Sequence, residues 1–558
     1  MIDITGSDIK KLNDKDLRTL IGLLCEEELE RNNISRKGVI WGGNQNARDD
    51  GVDVRVQISS EINSDSFVPA KNTIFQVKAT DMPASEIEKE MLPKGKLRST
   101  IKKLSDDNGA YVIVSSKGSV AEFALKNRLK AINSILLDYK RNHNIKYDFY
   151  DRNRIASWVR SYPPLIFWVR DKNSDKRNGW QGYDKLLNSS KEKYIVNEET
   201  RLFINTKSNS TKLSIIDGIN IMRSKMKESG TSIRLVGLSG VGKTSLVKAL
   251  FNEKIGDNIL HKTKVIYADY SDQPIPAAVN FIQQLIALNK KIYLIVDNCP
   301  PVVHRKLTKL CSTKNSLISL LTVEYDIRED QPEETDVFYL DVASNKLIEN
   351  MIIDQHKNLN RAEARRVAEF SGGNARIAKS LANTLNREDN ISDLKDEVLF
   401  DRLFKQRNEK NTYLREAAEI LSLVYSFNKK IDLENKELNI LSKLTDLNPL
   451  NLYKYSSELK ERGLLQERGE WRAVLPHAIG NRLAKRALEN LPENILCRTI
   501  AESDRLFKSF SRRLSYLSDS EKAKNIAYDL LNKNGYLADI NNLDKNKVEI
   551  LNLSLIHI

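Results

Sequence analysis

The pattern of apolar and polar positions divides the chain into two α/β parts followed by a helical part. Residues 1–172 begin with helical spacing over 15–31, and a second helical pattern runs over 119–140. Between these helices lie short apolar or alternating segments, which predict strands. These segments are GVDVRVQI from residue 51, IFQVKAT from residue 74 and GAYVIVSS from residue 109.

A second α/β part is predicted over residues 211–345. Its buried strands are IRLVGL, KVIYADY, KIYLIVDN and LISLLTVEY. Residues 173–210 are charged and rich in turn-forming residues, which predicts a linker between the two α/β parts.

From residue 346 onward the apolar spacing is helical almost throughout. We predict a helical lid over 346–405 and a winged helix over 406–490, where two helices precede a hairpin that turns at Arg468-Gly469. More helices are expected over 491–558. The last residues, LNLSLIHI, are apolar, so we expect the chain to be the first part of a longer protein.

Composition and charge describe a multidomain cytoplasmic protein. The 558 residues exceed the roughly 100–200 residues of one domain, so three or four units are expected. No apolar run reaches the roughly 20 residues of a membrane span, and the amino terminus has no signal-peptide core. The four cysteines are far apart in sequence, as in a reducing cytosol. A net charge of +14 permits binding to nucleic acid.

GLSGVGKTS, residues 237–245, has the spacing of a phosphate-binding loop. Its glycines Gly237, Gly240 and Gly242 let backbone N–H groups turn towards phosphates. Lys243 would reach the β- and γ-phosphates, and the hydroxyl of Thr244, followed by Ser245, would bind Mg²⁺. A strand before the loop and a helix after it support ATP binding here.

An acid is expected at the end of another buried strand, and KIYLIVDN supplies Asp297. Asp297 would hold the nucleotide's Mg²⁺ through water, as a Walker B aspartate does. The next residue, Asn298, stands where fast ATPases often carry a catalytic glutamate. This difference favours slow turnover, as in a switch.

Further nucleotide contacts are predicted in the helical part. FSGGNARIAKSLA, residues 370–382, resembles the sensor-2 segment of AAA-related ATPases. The resemblance implies that Arg376 reaches the γ-phosphate, and a solvent-facing arginine is an open alternative. His477, in VLPHAIGNRLA, is similar in position to the MHD histidine of signalling NTPases. That resemblance implies a contact with the β-phosphate, and a structural histidine is the alternative. A sensor residue at the end of a buried strand is left open among three candidates, Glu324, Asp326 and Arg328.

The succession of phosphate-binding loop, Walker B acid, helical lid and winged helix over about 211–490 resembles the STAND class of NTPases, which includes the NB-ARC proteins. The resemblance implies an AAA-like nucleotide-binding fold that uses ATP and Mg²⁺ as a switch.

Two strands of the first α/β part bring together residues typical of a nuclease. Asp53 begins one predicted strand, and Gln76 and Lys78 share one face of the next. Asp53, the Gln76 side-chain oxygen and the Val77 carbonyl would bind Mg²⁺, while Lys78 would lie beside the attacking water. A snorkelling lysine at a strand edge is the alternative for Lys78. Asp53, Gln76 and Lys78 resemble the motif of PD-(D/E)xK nucleases, many of which draw a glutamate from the preceding helix. The resemblance makes Glu28, on the apolar face of that helix, a candidate fourth catalytic residue, and a charged residue at a frayed helix end is the alternative.

Asp50-Gly51-Val52-Asp53 and Gln76-Val77-Lys78 resemble the motifs of Mrr-like restriction endonucleases, which have the PD-(D/E)xK fold. The whole chain resembles the antiviral STAND NTPases of bacteria and archaea that carry such a nuclease. That resemblance implies recognition of a phage protein, the portal or the large terminase subunit, by a carboxy-terminal repeat sensor. It also implies tetramerisation with ATP bound and cleavage of double-stranded DNA.

Two other functions are compatible with these motifs. One is an ATP-driven restriction or repair endonuclease, in which ATP turnover moves DNA; Asn298 and the lack of an evident arginine finger weigh against it. The other is an inactive nuclease fold that binds DNA or pairs subunits, against which the intact Asp53, Gln76 and Lys78 argue. DNA-stimulated ATPase activity would separate the first from a ligand-gated switch.

Overall fold

Three β-sheets with flanking helices form the protein. The structure is a computed structural model that describes residues 3–41, 52–118, 121–138, 145–173, 179–184, 201–205, 210–237, 240–325, 335–341, 343–383, 385, 399–400, 404, 412–431, 437–468, 470–474, 477–517 and 519–531.

The first sheet has five strands in the order β1-β2-β3-β4-β5. Strands β1 to β3 are antiparallel, whereas β3, β4 and β5 are parallel. Parallel strands with both faces covered are apolar throughout, and every residue of AYVIVS in β4 is buried. The strands are β1 Val39–Trp41, β2 Val54–Gln57, β3 Asn72–Lys78, β4 Ala110–Ser115 and β5 Lys146–Tyr150.

Helices cover both faces of this sheet and create two cores. Phe75 and Val77 of β3 pack with the helices α2, α6 and α7, and Ile74 packs with α3, α4 and α5. Because side chains alternate along a strand, Gln76 and Lys78 lie on the Ile74 face. The helices are α1 Gly6–Ile9, α2 Asp14–Arg31, α3 Ala84–Met91, α4 Ser99–Asp106, α5 Glu122–Asp138, α6 Arg152–Arg160 and α7 Pro163–Lys172.

The second sheet has seven strands in the order β7-β6-β12-β8-β11-β10-β9. Strands β12, β8, β11, β10 and β9 are parallel, and β6 and β7 extend the sheet in antiparallel pairing. The elements are β6 Arg201–Asn205, β7 Ser210–Ser214, α8 Ile215–Lys227, β8 Ser232–Gly237, α9 Lys243–Ala249, β9 Val265–Asp269, α10 Ala278–Ala287, β10 Ile292–Asp297, α11 Pro301–Cys311, β11 Ile318–Tyr325 and β12 Asp336–Leu340.

The predicted linker over 173–210 contains ordered structure, which corrects that prediction. Its residues 201–205 form β6, paired with β12. The backbone of Gln181 exchanges two hydrogen bonds with Tyr267 of β9, at 2.8 and 2.9 Å. Trp180 stacks on Phe281 of α10, with ring centroids 4.1 Å apart. The charged composition of the segment predicts a linker, and it gives no sign of these contacts because their partners are distant in sequence.

The remaining described residues are mostly helical, as predicted. The hairpin of the predicted winged helix is confirmed: β14 pairs with β15, from Leu465 opposite Val474 to Arg468 opposite Trp471. The elements are α12 Asn345–Gln355, α13 Arg361–Ser371, α14 Ala375–Ala382, α15 Thr412–Ser422, β13 Phe427–Asn428, α16 Glu437–Ser442, α17 Pro449–Glu461, β14 Leu465–Arg468, β15 Trp471–Val474, α18 His477–Asn490, α19 Glu493–Ile500, α20 Asp504–Leu514 and α21 Glu521–Leu531.

Within the part of the chain that the structure describes, no helix combines the length and the apolar character needed to cross a membrane. The four cysteines are all free thiols, and three of them are buried.

Candidate functional site

Asp53 and Gln76 meet at one edge of the first sheet, as the sequence predicts. Oδ2 of Asp53 accepts hydrogen bonds from Nε2 of Gln76 at 2.9 Å and from the backbone N–H of Val77 at 2.8 Å. The backbone N–H of Asp53 donates to Phe75 at 3.3 Å, which fixes Asp53 opposite Gln76. Burial raises the pKa of the Asp53 carboxyl, against the lowering effects of the Val77 N–H and of Arg18.

Lys78 lies on the same face but is paired with an acid. Its Nζ is 2.9 Å from Oε2 of Glu90, on α3. The other oxygen of Glu90 accepts from Nη2 of Arg98 at 2.6 Å. Glu90 therefore lies between two cations. The group formed by Asp53, Gln76 and Lys78 is called the Asp53 pocket below.

The donor set fits a magnesium ion at this edge. Gln76 is 3% exposed, and its Oε1 atom has no hydrogen-bond partner among the described residues. A buried carbonyl oxygen without a donor is costly, and a bound cation would satisfy it. Among the described residues, no group of three or more His, Cys, Asp or Glu side chains is placed to hold a metal ion. The predicted set, with one carboxylate, one amide oxygen and one backbone carbonyl, needs no such cluster.

Glu28 lies apart from this group in the structure. The α2 helix packs on the Phe75 face of the sheet, whereas Gln76 and Lys78 lie on the other face. The fully buried carboxylate of Glu28 accepts from Tyr162 at 2.7 Å, from Trp158 at 3.2 Å and from Ser66 at 2.8 Å. Glu28 is thus a structural anchor that ties α2 to α6 and to the segment after it.

Replacing Glu28 by Gln is expected to destabilise the first α/β unit by about 1–3 kcal/mol, because an amide cannot accept from all three donors. The midpoint of thermal unfolding measures this loss. Any nuclease activity, assayed well below that midpoint, should change less than about threefold. Unchanged stability with lost activity would restore a catalytic role to Glu28.

The phosphate-binding loop begins at the carboxyl end of β8 and leads into α9. Gly240 and Gly242 have φ angles of 79° and 102°, in the left-handed region that favours glycine. A Cβ atom at Gly242 would meet no heavy atom within 4 Å, so open space lies in front of the loop. Nζ of Lys243 donates to the carbonyl of Gly237 at 2.9 Å, and Ser245 lies in the same first turn.

The predicted Walker B acid lies beside this loop. Oδ2 of Asp297 accepts from Oγ1 of Thr244 at 3.1 Å and from the hydroxyl of Tyr267 at 3.4 Å. Burial and the neighbouring Asp269 raise the pKa of Asp297. A divalent cation between Thr244 and Asp297 would offset both effects, so these residues fit the Mg²⁺ of a bound nucleotide.

The side chain of Asn298 is hydrogen bonded to Asp269 on the neighbouring strand β9. The φ angle of Asn298 is 51°, a left-handed conformation that Asn tolerates better than most residues. Its side-chain amide donates to both oxygens of Asp269, at 2.9 and 2.8 Å. The side chain of Asn298 thus fixes the carboxylate of Asp269, at the end of β9.

The helical part reaches the loop through Asn374 and Arg376. A Cβ atom on Gly240 would lie 2.5 Å from Oδ1 of Asn374 and 2.9 Å from Cβ of Arg376. One on Gly463, in the winged helix, would lie 3.2 Å from Cδ of Arg376. The exposed Arg376 thus stands between the loop and the winged helix. The α18 helix begins at His477, but the side chain of His477 lies outside the described residues.

Of the three sensor candidates, only Glu324 is described; Asp326 and Arg328 lie outside the described residues. Glu324 is buried and pairs with the fully buried Arg234 of β8. The carboxylate of Glu324 is therefore engaged by the neighbouring strand β8.

The surroundings of His304, on α11, lead us to expect that the free energy of unfolding depends on pH. Its Nδ1 lies 2.8 Å from Oγ1 of Thr322, and its Nε2 lies 2.8 Å from Oγ1 of Thr335. Burial, helped by Arg234 and Arg305, lowers the pKa of His304 to about 3.

Between about pH 3 and 6.5 the unfolded chain binds a proton at His304 that the folded chain excludes, so stability falls as the pH falls below about 6.5. The expected contribution is about 2 kcal/mol lost by pH 5. His304→Gln, which does not titrate, should show a shallower decline in thermal midpoint between pH 7 and pH 5. An equal decline in both proteins would refute the assignment.

Two residues at the first site were not predicted. Arg18 of α2 places Nη2 2.5 Å from Oδ1 of Asp53, and Glu90 holds Lys78. Arg18 faces a carboxylate 35 positions further along the chain, and no local pattern encodes such a contact. The amphipathic spacing of α3 places Glu90 beside the apolar stripe and was the one available signal.

No protein-family model matches the chain, and no curated protein matches it. Among solved structures, the chain is similar to a STAND protein with a tetratricopeptide repeat sensor, a signal-transduction ATPase from Pyrococcus horikoshii. The identity is 15%, the TM-score is 0.24, and the match covers 61% of this chain. The chain matches 57% of that protein's length.

Proposed function

We propose that the chain is a STAND-type, ATP-binding switch that controls a Mg²⁺-dependent nuclease acting on double-stranded DNA. The observation that carries the nuclease is the group at the edge of β3. There Asp53 is buried and hydrogen bonded to Gln76 and Val77, the Gln76 oxygen has no partner among the described residues, and Lys78 lies on the same face. The phosphate-binding loop beside Asp297 supports the switch.

In this proposal the first site positions a phosphodiester and a water molecule. Asp53, the Gln76 oxygen and the Val77 carbonyl would hold Mg²⁺, which supplies charge stabilisation and a more acidic water. Lys78 would leave Glu90 and orient that water or stabilise the charge on the phosphate. A single carboxylate makes a weak site, so cleavage should require millimolar Mg²⁺.

The second site would bind ATP. Lys243 would leave the carbonyl of Gly237 for the phosphates, and Thr244 with Asp297 would hold Mg²⁺. The residue after Asp297 is Asn298, whose amide side chain is not a base, and this favours slow hydrolysis. Arg376 stands where the lid could sense the nucleotide.

The biological role follows from the resemblance to antiviral STAND NTPases. We propose a cytoplasmic antiphage sensor that recognises a phage protein, the portal or the large terminase subunit. Recognition with ATP bound would assemble the chain into a tetramer and so activate the nuclease.

The test is a plasmid-cleavage assay with the full chain and Mg²⁺, with and without ATP, and with purified portal or terminase added. We expect cleavage that needs Mg²⁺ and ATP, is strongest with one phage protein, and accompanies a shift to a tetramer in size-exclusion chromatography. Absence of cleavage under every condition would refute the nuclease. An ATPase rate that rises severalfold with DNA would instead support an ATP-driven restriction or repair enzyme.

A further inference from the structure

Every oxygen of Asp53 is engaged by the protein itself. Oδ2 accepts from Gln76 and Val77, and Oδ1 contacts the guanidinium of Arg18 at 2.5 Å. Arg18 and Asp53 are 18% and 11% exposed, so water screens this pair weakly. A cation therefore occupies the side of Asp53 that a metal ion would need.

The rest of the pocket is paired in the same way. Nζ of Lys78 is held by Glu90. The proposed cleavage uses Asp53 and Lys78. Arg18 contacts Asp53 and Glu90 contacts Lys78, and neither partner is needed for the chemistry. The structure shows the pocket in a closed arrangement.

The helix that carries Arg18 touches the nucleotide-binding unit at its other end. Near the end of α2, Glu27 accepts from Thr263 and Glu30 pairs with Lys264. Arg36 joins both acids and donates to Oγ1 of Thr263 at 3.0 Å.

Thr263 and Lys264 lie directly before β9, and further along β9 Tyr267 and Asp269 contact Asp297 and Asn298. At 1.5 Å per residue, about 18 Å of helix separates Arg18 from Glu30. The α2 helix therefore links the Asp53 pocket to the strand beside the Walker B acid. It is a continuous 18-residue helix, so one rigid element joins Arg18 to Glu27 and Glu30.

We propose that α2 is an inhibitory element, in which Arg18 closes the Asp53 pocket to divalent cations and the contacts of Glu30 and Glu27 with Thr263 and Lys264 hold α2 in that position. The inference deepens the proposed nuclease and rests on it. A change at β9 that withdraws α2 would release Asp53 for Mg²⁺.

The positive charge of Arg18 should strongly weaken the binding of a divalent cation at Asp53. A guanidinium beside Asp53 repels a divalent cation that approaches the same carboxylate, and the low exposure of the pair leaves this repulsion weakly screened. Withdrawal of Arg18 would also leave Oδ1 of Asp53 available to bind a metal ion.

The first test compares Arg18→Gln with Lys15→Gln in the full chain without nucleotide. Lys15 is exposed on the same helix, so its replacement removes the same charge without touching Asp53. Mn²⁺ binding is measured by electron paramagnetic resonance, and the part that depends on Asp53 is obtained by adding Asp53→Asn to each variant. Arg18→Gln is expected to bind Mn²⁺ at least about tenfold more tightly, while Lys15→Gln matches the wild type.

Plasmid cleavage with Mg²⁺, measured on the same proteins, separates the two claims. Tighter Mn²⁺ binding without any cleavage would support the closed pocket and refute the nuclease. Cleavage by the wild type that Arg18→Gln does not accelerate, with unchanged or weaker Mn²⁺ binding, would overturn the inhibitory role and leave the nuclease standing.

The second test addresses the distant contact. Glu30→Gln weakens the pairs with Lys264 and Arg36, far from Asp53, and should tighten the Asp53-dependent binding of Mn²⁺ severalfold. Glu61→Gln, a change at an exposed acid of the same unit, is the control. Wild-type affinity in Glu30→Gln would overturn the coupling through α2.

Discussion

Replacing Lys243 by Ala is expected to lower the affinity for ATP by about a hundredfold or more, because the loop loses the ammonium that faces the β- and γ-phosphates. In the structure this ammonium donates to the carbonyl of Gly237 from a nearly buried position. It therefore needs only a rotation within the loop to reach a nucleotide. Isothermal titration calorimetry with ATP and Mg²⁺ measures the loss.

Lys254→Ala is the matched control, since Lys254 is exposed after the same helix. ATP binding by Lys243→Ala at the strength of the control would refute the phosphate-binding role of residues 237–245.

Replacing Asp53 by Asn is expected to reduce DNA cleavage by about three orders of magnitude or more, because the only carboxylate of the proposed metal set is lost. The amide is nearly isosteric with the acid, so the contacts to Gln76 and Val77 largely survive and the fold should be kept. The initial rate of plasmid nicking at saturating Mg²⁺ measures the effect.

Asp106→Asn removes an exposed acid of the same unit and should cleave like the wild type. Residual cleavage by Asp53→Asn within tenfold of that control would place the chemistry elsewhere in the chain.

The core of the candidate sites could be predicted because their residues follow local rules. Gln76 and Lys78 share a face because side chains alternate along a strand. Asp53 meets them because it begins the neighbouring strand. Likewise Thr244 and Asp297 meet because both follow buried parallel strands, whose carboxyl ends lie at one edge of the sheet.

What sequence reasoning missed depends on the packing between distant elements. The apolar spacing of α2 indicated correctly that Glu28 is buried, but not that Trp158 and Tyr162, more than 125 positions later, would surround it. Arg18 looked like any charged residue of the first helical turn until the fold placed Asp53 beside it. The strand β6 within a charged segment was missed for the same reason, because its partner β12 lies far along the chain.

The contact between α2 and β9 gives the proposed switch a physical route. In the proposed function, ATP and a partner protein would control a nuclease, and the residues that carry this control have to be found in the structure. The hydrogen bond from Thr263 to Glu27, the ion pair of Glu30 with Lys264 and the ion pair of Arg18 with Asp53 supply them.

The most direct measurement is plasmid cleavage by the full chain with Mg²⁺, with and without ATP, run in parallel on the wild type, Lys78→Ala and Lys243→Ala. A nuclease gated by a nucleotide switch predicts ATP-dependent cleavage by the wild type and none by either variant. Cleavage by Lys78→Ala at the wild-type rate would contradict the site on β3, and ATP-independent cleavage by Lys243→Ala at that rate would contradict the gating.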